Sequence, residues 1–220
     1  MRKSLPKSYQ YIESLTGSES ALMHRARDCS EKLGLGGISL SRTEALIICE
    51  QLRSVNVKKM VEVGTLTGLS ALYWLDLMRS QSADFKLWTI EKSEKHAAAA
   101  AEILKGDIES GHCSLIVGDA RFELEKLENA GPFDAAFIDG NKAAYADYFR
   151  WALRSVRPGG VIILDNIFLA GAVWGDQVTQ KFNDKQIQSV QSVNEAAFQN
   201  SHLTATIIPT EEGLLVCRKK

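Results

Sequence analysis

The sequence is poor in proline and cysteine and has no surplus of either charge. Its 220 residues include four prolines and four cysteines, and 45% of them are apolar. This composition excludes a proline-rich low-complexity chain and an intrinsically disordered one. Lys and Arg number 26 against 27 for Asp and Glu, which gives a formal net charge of −1. Nucleic-acid-binding proteins usually carry a basic excess, so we expect no nucleic-acid partner.

Long apolar runs are also missing. No stretch reaches the roughly 18 consecutive apolar residues of a membrane span, and no apolar segment follows Met1-Arg2-Lys3 as in a secretory signal. The cysteines lack C-x-x-C spacing and the histidines are scattered, so neither a zinc site nor a disulfide framework is expected. These absences together favour a cytoplasmic protein without a membrane partner.

The first part of the chain has a helical pattern over residues 8–58. Ser41-Arg42-Thr43-Glu44 is a capping box in front of the apolar run 45–48, which predicts a helix from about Ser41 to Ser54. The glycine-rich stretch 34–37 predicts a loop before this helix. We expect residues 1–57 to form a helical extension that precedes the core.

From residue 59 onward, short apolar runs alternate with longer helical segments, a pattern typical of a doubly wound parallel sheet. Strands are predicted at 59–63, 87–90, 115–117, 133–138 and 161–164. Helices are predicted at 69–78, 96–104, 143–156 and 176–200, and a turn is predicted at 157–160. The runs 203–208 and 214–218, joined by 209–213, predict an antiparallel hairpin.

We therefore predict a single α/β domain whose core spans residues 58–220. The expected core is a Rossmann-like, doubly wound, seven-stranded sheet, mostly parallel with an antiparallel last strand, and helices cover both faces. Ligands of such sheets bind beyond the carboxyl ends of the strands, so the residues that follow each strand are the candidates for a site.

The segment 62–70 follows the first predicted strand and contains Gly64 and Gly68. These glycines allow a tight turn and a close approach of a ligand to the backbone. Their spacing is G-x-x-x-G rather than the G-x-G-x-x-G of dinucleotide-binding enzymes. Glu91 follows the second strand, where it can accept hydrogen bonds from ribose hydroxyls, although a favourable charge at a helix start explains it equally.

Acidic and amide side chains follow the next three strands. Asp119 is placed to bind the polar edge of an adenine, or it is a plain helix N-cap. Asp139 ends the fourth strand, and Asp165-Asn166 ends the fifth. Oxygen ligands of this kind suit a hard divalent cation such as Mg²⁺. Helix capping would explain any one of these residues, but it explains the three together less well.

Taken together, the motifs resemble the class I S-adenosylmethionine (SAM)-dependent O-methyltransferases, and within them the cation-dependent group of catechol and caffeoyl-CoA O-methyltransferases. The resemblance runs from about Ile38 to the C-terminus, and its motifs are 61–70, 133–142, 157–160, 165–166 and 213–219. In this order and at this spacing the motifs are specific, whereas each alone is not.

The resemblance implies a role for each matching residue. Glu62, Gly64 and Ser70 would hold the methionine part of SAM, Glu91 the ribose and Asp119-Ala120 the adenine, and Thr65, Gly68 and Asp139 would complete the cofactor-binding set. A divalent cation, Mg²⁺ before Ca²⁺ or Mn²⁺, would bind Asp139, Asp165 and Asn166. Lys142 would be the catalytic residue. Tyr145 and Tyr148 would lie near the cofactor, or would simply pack a helix against the sheet.

Two positions depart from the family pattern. Asp139-Gly140-Asn141-Lys142 replaces the frequent Asp-Ala-Asp-Lys, and Leu169 stands where many relatives have tryptophan, with Trp174 further on. We predict methyl transfer to a hydroxyl of a small acceptor, of the vicinal-diol or catechol type, by a homodimer. The alternatives are an NAD(P)-dependent oxidoreductase, an RNA methyltransferase and a non-catalytic interaction protein on the same fold.

Overall fold

A seven-stranded sheet forms the centre of the computed structural model, which describes residues 6–176 and 182–220. The strands are β1 Lys59–Val63, β2 Lys86–Glu91, β3 Cys113–Val117, β4 Phe133–Ile138, β5 Val156–Leu164, β6 Leu203–Ile208 and β7 Leu214–Lys219. Their order is β3-β2-β1-β4-β5-β7-β6. β1 to β5 are parallel to one another, and β7 runs antiparallel to its neighbours β5 and β6. The predicted fold class is confirmed.

Helices cover both faces of this sheet. They are α1 Lys7–Leu15, α2 Ala21–Lys32, α3 Arg42–Arg53, α4 Leu69–Gln81, α5 Glu94–Ile103, α6 Lys105–Glu109, α7 Ala120–Lys126, α8 Tyr145–Ser155 and α9 Asp184–Gln199. One apolar cluster joins α2 to α5 to one face of the sheet, and a second joins α7 to α9 to the other. Met60 and Val61, neighbours on β1, belong to different clusters because successive side chains of a strand point to opposite faces.

The capping box predicted at the start of α3 is present. The Ser41 hydroxyl accepts from the Glu44 amide at 3.2 Å, and the Glu44 carboxylate accepts from the Ser41 amide at 3.3 Å. Each side chain therefore satisfies one backbone donor at the helix start. Among the described residues, no helix combines the length and the apolar composition that a membrane crossing requires.

The predicted turn at 157–160 is wrong, because these residues belong to β5. Phe133 pairs with Val156 but Ala135 pairs with Val161, so β5 holds extra residues in an irregular stretch beside β4. Gly159 makes this possible through a φ of +76°, which other residues rarely adopt. Proline and glycine here mark a strand irregularity rather than the strand's beginning.

The helix predicted at 176–200 is shorter in the structure. α9 begins after Asn183, which forms a capping box with Gln186, and it ends at Gln199. Residues 177–181 of the predicted range lie outside the described residues. The helix predicted at 143–156 likewise begins later, because Lys142–Ala144 forms a short 3₁₀ turn in front of α8.

Candidate active site

The carboxyl ends of the parallel strands surround a cavity of about 340 Å³, which we call the strand-end cavity. Gly64, Glu91, Asp119, Ala120, Asp139 and Asn166 line it. A smaller cavity of about 30 Å³ lies beside it and is lined by Thr65 and Ser70, with Gly64 and Asp139 shared by both. Predicted site residues that are far apart in sequence therefore meet at one edge of the sheet.

A larger cavity, of about 570 Å³, lies among α1, α2 and α3. It is lined by glycine, serine, histidine and charged residues, and none of the predicted site residues contributes to it. Size alone therefore does not locate the site. The strand-end cavity is the better candidate, because parallel sheets bind ligands at the carboxyl ends of their strands.

The loop 64–68, called the cofactor loop below, turns tightly on its two glycines. Gly64 has a φ of +98°, and a Cβ atom there would lie 2.4 Å from the backbone oxygen of Asp139. Gly68 has a φ of +89° and is the N-cap of α4. Glycine at position 64 is required by the close approach of β1 and β4, in addition to any contact with a ligand.

The Glu91 carboxylate is oriented by two backbone amides. Its Oε2 accepts from the Leu66 amide at 2.9 Å, and its Oε1 accepts from the Ser93 amide at 2.8 Å. A carboxylate has about four acceptor positions, so about two remain for other donors at the cavity wall. A vicinal pair of hydroxyls, as on a ribose, fits this arrangement.

Asp119 takes the capping role that the sequence left open, and it also lines the strand-end cavity. Its Oδ1 accepts from the Arg121 amide at 3.1 Å, and its Oδ2 lies 2.7 Å from the Arg121 guanidinium and 3.0 Å from Lys92 Nζ. The hydrogen bonds from Arg121 hold the pKa of Asp119 below its usual range. Asp119 is therefore ionised and can only accept.

Glu62 lies behind the cofactor loop rather than at the cavity wall. Its side chain is fully buried, and its oxygens accept from Trp74 Nε1 at 2.7 Å and Thr89 Oγ1 at 2.6 Å. Burial raises the pKa of Glu62 to about 7, against the opposing effect of hydrogen bonds from Thr89, Ser70 and Trp74. Its assignment to the methionine part of a cofactor stays a prediction. Any influence of Glu62 on a ligand in the cavity must pass through the side chains that contact Glu62.

Lys142 lies between Asp139 and Tyr145. Its Nζ donates to Asp139 Oδ1 at 2.7 Å and to Tyr145 Oη at 2.5 Å. The Tyr145 hydroxyl, which is fully buried, in turn donates to the Asp165 backbone oxygen at 2.9 Å. Tyr145 thus both packs in the core and contacts the predicted catalytic residue. Tyr148 packs in the same cluster and lines the strand-end cavity.

The oxygen donors Asp139, Asp165 and Asn166 fit a hard divalent cation. Asp165 is buried, and burial followed by the charge of Asp139 raises its pKa well above the usual range. A buried carboxyl whose ionised form is disfavoured by a neighbouring carboxylate is a match for a cation. Among the described residues, no three His, Cys, Asp or Glu side chains form a metal-binding group, so the predicted set depends on the Asn166 amide and stays a prediction.

Two residues near the site were not anticipated from the sequence. Thr89 bonds Glu62, and His96 lines the strand-end cavity with its Nδ1 3.7 Å from Glu91 Oε1. Only the position of His96 in the first turn after Glu91 could have indicated it. Leu169 is fully buried, while Trp174 is 59% exposed and meets Phe168 edge to face at 5.3 Å.

Comparison with known proteins shows which family the whole chain resembles. A family model described as O-methyltransferase matches residues 13–220. A catechol O-methyltransferase of Niastella koreensis is 31% identical over 200 residues, which is 90% of this chain and 87% of that protein.

Solved structures agree with this match. An O-methyltransferase of Streptomyces achromogenes involved in tomaymycin synthesis, in complex with SAM, superposes with a TM-score of 0.86 at 28% identity over 97% of this chain and 96% of that one. An O-methyltransferase of Bacillus cereus in complex with S-adenosylhomocysteine (SAH) gives a TM-score of 0.84 at 26% identity, over 97% of each chain.

Proposed function

The chain belongs to the O-methyltransferase family, and we propose that it transfers a methyl group from SAM, bound in the strand-end cavity, to a hydroxyl of a small acceptor. The observation that carries the proposal is that one cavity joins the cofactor loop, the oriented Glu91 carboxylate and Asp139, which is bonded to Lys142. The groups proposed to bind the cofactor therefore share one space with Asp139, and Lys142 adjoins that space through its bond to Asp139.

Different residues of the cavity wall bind different parts of the cofactor. Glu91, whose carboxylate is held by the Leu66 and Ser93 amides, accepts from the ribose hydroxyls without having to reorient. Ala120 lies 6% exposed beside Asp119 at the start of α7 and offers a small apolar contact for the adenine. The cofactor loop lies against the methionine part, where Ser70 supplies a hydroxyl.

For the acceptor we propose a small aromatic compound with two vicinal hydroxyls, positioned beside Lys142. The acceptor oxygen attacks the methyl carbon, the carbon–sulfur bond breaks, and the sulfur keeps the electron pair and leaves as SAH. Lys142 in its unprotonated form accepts the proton of the attacking hydroxyl at Nζ and becomes the ammonium, while Asp139 and Tyr145 hold Nζ in place. The name of the Niastella koreensis relative supports a catechol-type acceptor.

We also propose that Asp139, Asp165 and Asn166 hold a divalent cation, Mg²⁺ first among the candidates. When bound, such a cation lowers the pKa of an acceptor hydroxyl and so makes the oxygen a better nucleophile. The support is the chemistry of the donors and the raised pKa of Asp165, which burial and the charge of Asp139 cause and which a bound cation would oppose.

Calorimetric titration with SAH and with NAD tests the cofactor assignment. SAH should bind and NAD should not, and Lys142→Ala should bind SAH as the wild type does, since Lys142 serves the acceptor. Binding of NAD in place of SAH would contradict the proposal. Activity with a catechol should disappear in EDTA and return with Mg²⁺. Full activity in EDTA would refute the proposal that a divalent cation takes part in the reaction.

A further inference from the structure

Helix α2 is bonded to two separate parts of the smaller cavity's wall. The segment 38–40 forms one part and the cofactor loop forms another. On the cofactor loop, the Thr67 hydroxyl donates to the Ala26 backbone oxygen at 2.9 Å. Arg27 Nη2 donates to the Leu40 backbone oxygen at 3.2 Å. Because Ala26 and Arg27 are neighbours on α2, one turn of helix links two wall segments that are far apart in sequence.

The segment 38–40 lies between two cavities. Ser39 lines the smaller cavity and also the larger cavity among α1, α2 and α3. Its hydroxyl donates to Ser30 Oγ on α2 at 3.2 Å, and the Leu40 side chain is buried. With open space on either side of Ser39, the position of the segment depends on its bonds to α2. The bond from Arg27 has a charged donor, which makes it stronger than a bond between neutral groups.

Arg27 is itself held by a buried ion pair. Its Nε and Nη2 donate to the two oxygens of Glu19, both at 2.6 Å, and Tyr73 Oη donates to Glu19 Oε1 at 2.5 Å. The Glu19 side chain is 6% exposed. Burial opposes the ionised form of Glu19, but the hydrogen bonds from Arg27 and Tyr73 outweigh it and leave the pKa of Glu19 below its usual range. The two parallel bonds fix the plane of the guanidinium and so direct Nη2 at Leu40.

We infer that Arg27 is a positioning residue for cofactor binding, which holds the segment 38–40 at the cavity wall and makes cofactor affinity depend on the helical extension. The inference rests on the proposed function, which puts the cofactor against this wall. It goes further because Arg27 lies outside the walls of the strand-end cavity and of the smaller one. Since Glu19 neutralises the charge of Arg27, SAM and SAH should be affected alike, and the methyl-transfer step should not be affected.

The test compares Arg27→Met with Arg79→Met by calorimetry and by kinetics with a catechol. Arg27→Met keeps an apolar stem but removes the bond to Leu40, so the dissociation constants of SAM and of SAH should each rise about tenfold, the effect of losing one charge-assisted hydrogen bond. The KM for SAM should rise by a similar factor, while kcat at saturating SAM stays within about twofold of wild type. Arg79 is 49% exposed, is paired with Asp76 and lies outside the walls of all three cavities, so Arg79→Met should change none of these values.

The outcomes separate the inference from the proposed function. Fewer binding sites of wild-type affinity in Arg27→Met, or a lower kcat at unchanged KM, would show a merely structural role and overturn the inference, while the proposed function would stand. An equal loss of affinity in Arg79→Met would overturn it as well. If Arg27→Met does not fold, Arg27→Lys replaces it, because lysine keeps the charge beside Glu19 but ends one bond short of Nη2; unchanged cofactor affinity in that variant would overturn the inference. A wild type that binds neither SAM nor SAH would overturn both.

Discussion

Replacing Glu62 by glutamine should make the protein more stable at neutral and alkaline pH. Glu62 is fully buried and its pKa is raised from 4.5 to about 7, chiefly by burial. Between these two values the unfolded chain has released the proton that the folded chain still holds, so stability falls as pH rises. At 1.36 kcal/mol per pKa unit, the loss is about 3 kcal/mol, and it is complete above the folded pKa.

Glutamine has the same shape and keeps most of the contacts. Its oxygen accepts from Trp74 Nε1, and its amide donates to Thr89 Oγ1, which then donates to Thr65. The neutral side chain avoids the cost of ionisation in the core. The free energy of unfolding of Glu62→Gln minus that of wild type should therefore be about 3 kcal/mol larger at pH 8 than at pH 4.5, which means a more stable variant at pH 8.

Urea unfolding at these two pH values measures the difference. Comparing the variant with wild type at each pH removes contributions from other titrating groups, Asp165 among them. Exposed Glu195 provides the control, since Glu195→Gln should leave the pH dependence of wild type unchanged. The same pH dependence in Glu62→Gln and wild type would refute the account of Glu62 as a buried carboxyl that ionises near neutrality.

Three further predictions concern the site. Tyr145→Phe removes the hydroxyl that holds Lys142, so kcat should fall about tenfold while the KM for SAM stays unchanged. The control Tyr148→Phe should not reduce kcat in this way, and equal kcat values for the two variants would contradict the role of Tyr145. Gly64→Ala brings a Cβ atom within 2.4 Å of a backbone oxygen, so it should lower the melting temperature more than Gly111→Ala, because Gly111 has a similar φ and nothing within 4 Å. Equal losses of melting temperature would mean that backbone strain from the positive φ acts alone, without the steric clash. Lys142→Ala should abolish methyl transfer while SAH affinity persists, and retained turnover would remove its assignment as base.

Much of the sheet could be predicted because short apolar runs end at glycine or aspartate. β4, Phe133–Ile138, has the predicted bounds. The beginning of β5 could not be predicted in the same way, because Arg157-Pro158-Gly159-Gly160 has the composition of a turn. Only the pairing of Phe133 with Val156 shows that this stretch continues the sheet.

Part of the candidate site could likewise be predicted from the sequence, and part could not. Glu91 and Asp139 follow directly from their positions at strand ends, and they line the same cavity. The placement of Glu62 depends on Trp74 and Thr89, which are 12 and 27 residues away in sequence, so it follows from tertiary packing and not from the local pattern. The homodimer, the cytoplasmic location and the boundary at residues 57–58 stay predictions.

The central claim is that the protein transfers a methyl group from SAM, bound in the strand-end cavity, to an acceptor hydroxyl beside Lys142. The most direct measurement supplies SAM with a labelled methyl group, a catechol and Mg²⁺ to wild type and to Lys142→Ala. The account predicts label on the catechol oxygen and one equivalent of SAH with wild type, and bound SAM without transfer with Lys142→Ala. Wild type that binds SAM but labels none of a panel of catechols, flavonoids and CoA esters, or Lys142→Ala that labels them as fast as wild type, would contradict it.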